Sequence, residues 1–112
     1  MKIKWLGIPA AAMLVFGAST AQATDMPPLA KKSGCTACHA IDRKVVGPSW
    51  MDVSKRYHGD GGARAALIAK VKKGGKGNWT EVTKGVPMPP YSPRVKDADI
   101  EQLVDFILGL AK

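Results

Sequence analysis

Apolar and polar positions alternate most regularly near the end of the chain, with the period of an amphipathic helix. Apolar residues recur there at spacings of three and four, so they share one helix face. The residues of this face are Ile100, Leu103, Val104, Ile107 and Leu110. Asp97 suits the N-cap, and Asp99 and Glu101 lie in the first turn, where acidic side chains complement the helix dipole. The pattern predicts a helix that follows an N-cap at Asp97.

Two short helices are predicted in the first half of the chain. The first begins near Pro27 or Pro28, because proline is tolerated in the first turn of a helix. The second follows Pro48, with Ser49 as its N-cap and Asp52 three residues later, where a capping box places its acid. Its apolar face consists of Trp50, Val53 and Tyr57.

A third helix is predicted over residues 61–73, with Asp60 as its N-cap and Gly74 after its last turn. Its apolar residues are Leu67, Ile68 and Val71. The segment from Gly74 to Lys96 is rich in glycine and proline, and a loop of that length in a small domain needs a function. Covering one face of a cofactor would be such a function. With no strand pattern in the chain, the prediction is an all-α fold.

The chain has two cysteines, Cys35 and Cys38, and His39 follows them directly. A C-x-x-C-H run is the attachment motif of c-type haem. A thioredoxin-like dithiol would follow a strand, and a zinc site would need further cysteine or histidine ligands, of which only His58 is present. A disulfide across two residues would be a strained ring. The motif predicts one haem c, bound covalently through both thiols, with His39 on the iron.

Residues 1–23 have the pattern of a cleaved signal peptide. Lys2 and Lys4 form a basic start, an apolar run follows, and Ala21-Gln22-Ala23 matches a small-x-small cleavage site. A membrane anchor is the alternative, but the apolar run is shorter than the ~20 residues that cross a bilayer. Cleavage would leave a single domain, residues 24–112, in the periplasm, which agrees with haem attachment outside the cytoplasm.

The formal net charge is +8, and it falls to +6 without residues 1–23, which hold two lysines and no acidic residue. An exported basic protein could meet nucleic acid, an anionic membrane surface or an acidic protein. No nucleic-acid motif is present, and membrane contact is expected to be transient at most. We expect a monomer whose partners are acidic redox proteins, because complementary charge speeds association. One cluster of basic residues consists of Lys70, Lys72, Lys73 and Lys76.

The second axial ligand of the iron must come from a distant segment. The candidates are Met26, Met51, His58 and Met88. Met88 is favoured because it lies in Val86-Pro87-Met88-Pro89-Pro90, where prolines hold the backbone extended and no periodic apolar face is present. His58 would give a bis-histidine site, but it follows a predicted helix end and is expected to be exposed. The prediction is a His39 and Met88 ligand pair.

With these features, the chain resembles the small bacterial class I cytochromes c, and most of all the periplasmic c551 and c552 type. The resemblance covers nearly all of residues 24–112. It is carried by residues 34–42 around the haem motif, by Val46-Gly47-Pro48, by Trp79 and by Pro87-Met88-Pro89-Pro90. It implies a fold of about four helices around one haem, with thioether links at Cys35 and Cys38 and iron ligands at His39 and Met88.

The resemblance also implies roles for two further residues. The carbonyl of Pro48 would accept the other ring N–H of His39, which fixes the tautomer of the imidazole. Trp79 would hydrogen-bond a haem propionate. The segment between Trp79 and Met88 is longer than in the shortest members of the family.

Iron with two protein ligands has no position left for a substrate, so the predicted function is electron transfer and not enzymatic catalysis. The chain would shuttle single electrons between respiratory donors and a terminal acceptor, such as an oxidase or a nitrite reductase. Two alternatives stay open from the sequence. One is a haem enzyme with peroxidase-like activity after Met88 dissociates, and the other is a ligand-sensing cytochrome or a subunit of a larger complex.

Overall fold

The computed structural model describes residues 24–111, so the predicted signal peptide lies outside the described part of the chain. Within it, five α-helices and one 3-10 turn follow one another. They are α1 (Pro28–Lys32), the 3-10 turn (Cys35–Ala37), α2 (Trp50–Arg56), α3 (Ala63–Lys73), α4 (Thr80–Thr83) and α5 (Asp97–Leu108). Between residues 24 and 111 no strand forms, only two isolated bridges, and the all-α prediction is confirmed.

Helix α5 lies at the centre of the fold, where it packs against α1, α2 and α3. Ile100 and Val104 have no exposed surface. One core cluster joins Leu103 and Ile107 to Trp50 of α2, and the other joins Ile100 and Val104 to Tyr91 and to the apolar residues of α3. The spacing of three and four in α5 therefore buries one continuous face, as predicted. No helix of residues 24–111 has the length and apolarity needed to cross a bilayer.

The helix ends follow the predictions only in part. The Ser49 Oγ accepts a hydrogen bond from the Asp52 amide at 3.0 Å, which confirms the predicted N-cap of α2. Asp60, however, is not the N-cap of α3, whose N-cap is Gly62. The Asp60 carboxylate instead accepts from the Gly62 amide at 2.9 Å, because a short acidic side chain before two glycines closes a turn of its own.

Helix α5 begins at Asp97, so its N-cap is Lys96 and not the predicted Asp97. The Asp97 carboxylate lies 3.2 Å from the Lys72 Nζ at the end of α3. At the other end of α5, the buried Ser54 hydroxyl donates to the Leu108 carbonyl and accepts from the Ala111 amide. Side chains from neighbouring helices therefore hold both ends of α5.

Helix α4 is the element that the sequence analysis did not predict. It is one turn long and lies inside the glycine- and proline-rich segment that was expected to be a loop. Its first N–H donors, those of Val82 and Thr83, both donate to the Trp79 carbonyl at 2.9 Å. Lys84 then takes a left-handed conformation, with φ of 59°, and ends the turn. The segment between Trp79 and Met88 is thus ordered by a helical turn.

Candidate cofactor site

A cavity of about 520 Å³ opens among α2, α3, α5 and the segment that follows α3. All six residues that the sequence analysis assigned to the site line this cavity. They are Cys35, Cys38, His39, Pro48, Trp79 and Met88. Of the four candidates for the second iron ligand, all within the described residues, Met88 lines the cavity, whereas Met26, Met51 and His58 do not. The fold therefore brings residues that are 53 positions apart, Cys35 and Met88, to one site.

The imidazole of His39 is oriented by a backbone carbonyl. Its Nδ1 lies 2.9 Å from the Pro48 carbonyl oxygen, the contact that the resemblance implied. A carbonyl only accepts, so Nδ1 carries the proton and Nε2 keeps its lone pair for a metal. Burial lowers the pKa of His39, although the bond to Pro48 opposes this shift. The ring is thus held as a neutral ligand.

Gly47 is a site residue whose role the sequence analysis missed. A Cβ at this position would lie 2.6 Å from the His39 Cε1, so only glycine leaves room for the imidazole. The Gly47 amide donates to the Cys38 carbonyl at 2.8 Å, which folds the chain back onto the motif. The Trp50 ring lies 6.0 Å from the imidazole, centroid to centroid. The glycine before Pro48 is compatible with a close backbone approach, but the sequence does not show which atom approaches it.

The two cysteines lie in and directly after the 3-10 turn, and no disulfide joins them. The amides of Cys38 and His39 both donate to the Cys35 carbonyl, which brings the three motif residues into one tight turn. Burial raises the pKa of the Cys35 thiol. A redox-active dithiol depends on a thiol whose pKa is lowered, so the electrostatics of this turn do not favour thioredoxin-like chemistry.

Met88 is fixed by backbone hydrogen bonds to the end of α3. The Gly75 amide donates to the Met88 carbonyl at 2.9 Å, and the Met88 amide donates to the Gly75 carbonyl at 3.0 Å. Three and four residues further along, the Tyr91 and Ser92 amides donate to the Val71 and Lys72 carbonyls. Because Pro89 and Pro90 have no amide hydrogen, the amides of Met88, Tyr91 and Ser92 are the backbone donors that residues 88–92 have, and all three are used in these bonds.

Gly74 makes this arrangement possible, and the sequence analysis recognised it only as a helix end. Its φ is +72°, and a Cβ there would overlap the Met88 carbonyl and lie 2.8 Å from both Pro89 C and Pro90 N. The Met88 segment therefore crosses directly over the glycine. Tyr91, also missed, is 6% exposed and lines the cavity, and burial raises the pKa of its hydroxyl.

The residues present fit a covalently attached haem. Much of the cavity wall is apolar, with side chains from α2, α3 and α5, which suits a large flat macrocycle. The apolar wall includes Val53, Leu67, Val71, Leu103, Val104 and Ile107. The lining also includes one imidazole with a free Nε2, one thioether and two thiols, which together form the donor set of a His/Met-ligated haem c.

Comparison with known proteins identifies the family. The family model named Cytochrome c matches residues 28–111. This chain belongs to the cytochrome c family. Cytochrome c-551 of Allochromatium vinosum is 51% identical over 82 residues, which are 73% of this chain and 82% of that protein. Cytochrome c-552 of Nitrosomonas europaea is 42% identical over 111 residues, 98% of this chain and 99% of that protein.

The fold of this cytochrome c is also that of a solved relative. The crystal structure of wild-type Nitrosomonas europaea cytochrome c552 superimposes with a TM-score of 0.65 at 43% identity, covering 73% of this chain and 95% of that one. The class I fold is therefore confirmed, with α4 as a fifth α-helix beyond the four expected. Cytochromes c are small electron carriers that hold haem c, so the prediction that the chain is not an enzyme is confirmed as well.

Proposed function

We propose that this cytochrome c carries single electrons in the periplasm, through one haem attached at Cys35 and Cys38 with His39 and Met88 as its axial ligands. The main support is that both predicted ligands line one cavity and that each is positioned by backbone contacts. His39 is oriented by the Pro48 carbonyl, and Met88 is held by the pair of hydrogen bonds to Gly75. When bound, the haem supplies one-electron chemistry between Fe(II) and Fe(III).

The protein supplies position and environment for this chemistry. His39 presents a neutral Nε2, and Met88 presents a soft thioether that favours the reduced iron. The apolar wall would shield the haem from water, and with His39 and Met88 on the iron no coordination position would be left for a substrate. Trp79 is half-buried in the same wall, and we propose that its indole N–H donates to a haem propionate.

Ligand variants test the proposal. The oxidised protein is expected to show the weak near-infrared sulfur-to-iron band, and Met88→Ala should remove it. Met51→Ala is the matched control, because Met51 is also half-buried but does not line the cavity. His58→Ala should likewise keep the band. A band that survives Met88→Ala, or ready binding of CO to the reduced unaltered protein, would contradict the ligand assignment.

The proposed partners are redox proteins with an acidic docking face, such as a respiratory donor and a terminal oxidase or nitrite reductase. Val46 and Val86 line the cavity and are 38% and 49% exposed, and Val45 beside them is 43% exposed. Lys70 and Lys76 line the same cavity. An apolar rim with nearby lysines suits a transient contact in which charge steers the approach and apolar surface forms the contact.

Small oxidants of opposite charge test the steering. Lys76→Glu should slow oxidation by hexacyanoferrate(III) several-fold at low salt and accelerate oxidation by a cationic cobalt(III) complex. Lys31→Glu on α1, which does not line the cavity, is the matched control. High salt should remove the difference between the two variants, because it screens exposed charge. Equal effects of both substitutions would contradict a local role of the cavity lysines.

A further inference from the structure

Arg56, the last residue of α2, contacts a segment that lies 22 residues later in the chain. Its Nη1 donates to the Asn78 carbonyl at 3.0 Å. Its Cζ lies 4.5 Å from the centroid of the Trp79 ring, within the range of a cation–π interaction. One side chain therefore contacts both the indole that lines the cavity and the backbone immediately before it.

The segment before Trp79 has few other means of holding a fixed conformation. Gly74, Gly75 and Gly77 all have positive φ, and glycine loses more conformational freedom on ordering than any other residue. Gly75 is fixed by its pair of bonds to Met88, but Gly77 and Asn78 lie beyond that pair. The bond from Arg56 orders the chain at this point, just before the Trp79 carbonyl accepts the first hydrogen bonds of α4.

The charge of Arg56 is not used in an ion pair. Ion pairs within residues 24–111 involve Arg43, Arg64 and Lys72, and none involves Arg56. The guanidinium instead lies near two aromatic rings, that of Trp79 and, at 5.9 Å, that of Tyr57. Both rings belong to residues that line the cavity. Arg56 thus places a positive charge next to the cavity wall, and no acidic side chain of residues 24–111 lies within ion-pair distance of it.

We propose that Arg56 is a positioning residue, which holds the Trp79 indole in the cavity wall and so sets the environment of the haem beside it. The inference rests on the proposed haem function. Arg56 acts through Trp79 and Asn78, and both of its contacts depend on the planar guanidinium. Lysine would keep the charge but lose the rigid fork that donates to the carbonyl while it stacks on the ring.

The first test follows the Trp79 indole in the haem-loaded protein by NMR. Arg56→Gln should make its N–H exchange with solvent about two- to fivefold faster, the factor that the loss of a cation–π contact at an exposed site produces. Lys55→Gln is the matched control, because it removes one positive charge from the preceding, exposed position of α2. Lys55→Gln should leave the exchange rate of the indole N–H unchanged. Arg56→Lys should give a rate between those of the unaltered protein and of Arg56→Gln.

The second test is the reduction potential. Arg56→Gln should lower it more than Lys55→Gln does, and in a Trp79→Leu background the two substitutions should have equal effects. Two results would overturn the positioning role. One is an unchanged exchange rate of the indole N–H in Arg56→Gln. The other is that Arg56→Gln and Lys55→Gln shift the reduction potential equally in the protein that retains Trp79. The absorption spectrum of the unaltered protein tests the proposed haem function separately, since it does not involve Arg56.

Discussion

The two predicted iron ligands are positioned in different ways. His39 lies in a tight turn and is oriented by Pro48, nine residues later, so its geometry is set within one short stretch of chain. Met88 lies in an extended segment without a local partner, and its position depends on the end of α3. The histidine side is therefore a local structure, whereas the methionine side is an assembly of distant backbone groups.

This difference predicts where each side fails. On the histidine side, an added side-chain atom would contact the His39 ring, which can rotate, and the backbone of the turn would stay in place. On the methionine side, an added side-chain atom would contact the backbone of the Met88 segment. This backbone cannot move without breaking the pair of hydrogen bonds between Gly75 and Met88. Substitutions at the two close glycine contacts, Gly74 and Gly47, compare the two sides directly.

The largest effect is expected for Gly74→Ala. The new Cβ would overlap the Met88 segment and would require a positive φ that alanine rarely adopts, at a cost of about 3 kcal/mol in the free energy of unfolding. Chemical denaturation measures this loss, and the near-infrared band should weaken with it. Gly61→Ala is the control, since nothing lies within 4 Å of a Cβ there. Equal stability of the two variants would refute the backbone contact.

A smaller effect is expected for Gly47→Ala on the histidine side. The Cβ would press against the His39 ring, which can tilt, so we expect a loss of about 2 kcal/mol in the free energy of unfolding. The NMR signal of the His39 Nδ1–H should move, because its bond to Pro48 is distorted. The near-infrared band should persist, and its loss here would show that the two sides are not separable.

The cap of α2 tests a local contact on the histidine side. Ser49→Ala removes the acceptor of the Asp52 amide and should lower the free energy of unfolding by about 1 kcal/mol. Thermal or denaturant unfolding measures the change. Ser33→Ala, a half-buried serine that precedes the motif, serves as the control and should cost less. A larger loss in Ser33→Ala would argue against the cap as the source.

The smallest effect concerns the ion pair that joins α5 to α3, the helix directly before the glycines that contact the Met88 segment. Hydrogen bonds from Arg64 at 2.7 and 3.1 Å lower the pKa of the Asp105 carboxyl. A lowered folded pKa gives stability that is present above the unfolded value of about 3.9 and is lost as pH falls through the folded value. The pair is exposed, so salt should also weaken it.

The measurement is the difference in Tm between the unaltered protein and Arg64→Gln. The difference should be small at about pH 7 and should shrink further as the pH falls through the folded pKa of the Asp105 carboxyl, because protonation removes the charge that Arg64 pairs with. Lys72→Gln is a useful companion, since the partner of Lys72, Asp97, also lies on α5. A Tm difference that does not change with pH would mean that Arg64 stabilises by packing alone.

The contrast between the two sides also explains what the sequence could predict. The haem motif and the cap of α2 follow from residues a few positions apart, and the apolar period of α5 follows from one helix. Met88 could be predicted as an iron ligand because the prolines on both sides of it exclude a place on a periodic apolar face. The roles of Gly47 and Gly74 could not be derived, because each depends on which atom approaches the missing Cβ, and that is decided by the tertiary fold.

The caps and α4 show the same limit at the level of secondary structure. Asp60 and Asp97 both had suitable side chains for an N-cap, but a turn and an ion pair use them instead. Helix α4 is one turn long, and so short a helix has too few residues for a periodic pattern to reveal it. Arg56 reaches Asn78 across 22 residues, a contact that no local pattern encodes.

The four hydrogen bonds that hold the Met88 segment join main-chain atoms only. Side chains around the cavity rim, such as Val86 and Lys76, are not needed for this attachment. Substitutions on the proposed partner surface should therefore leave the Met88 thioether in place relative to the rest of the site. Attachment through the main chain would separate the choice of redox partner from the geometry of the proposed iron site, so that the two could evolve independently.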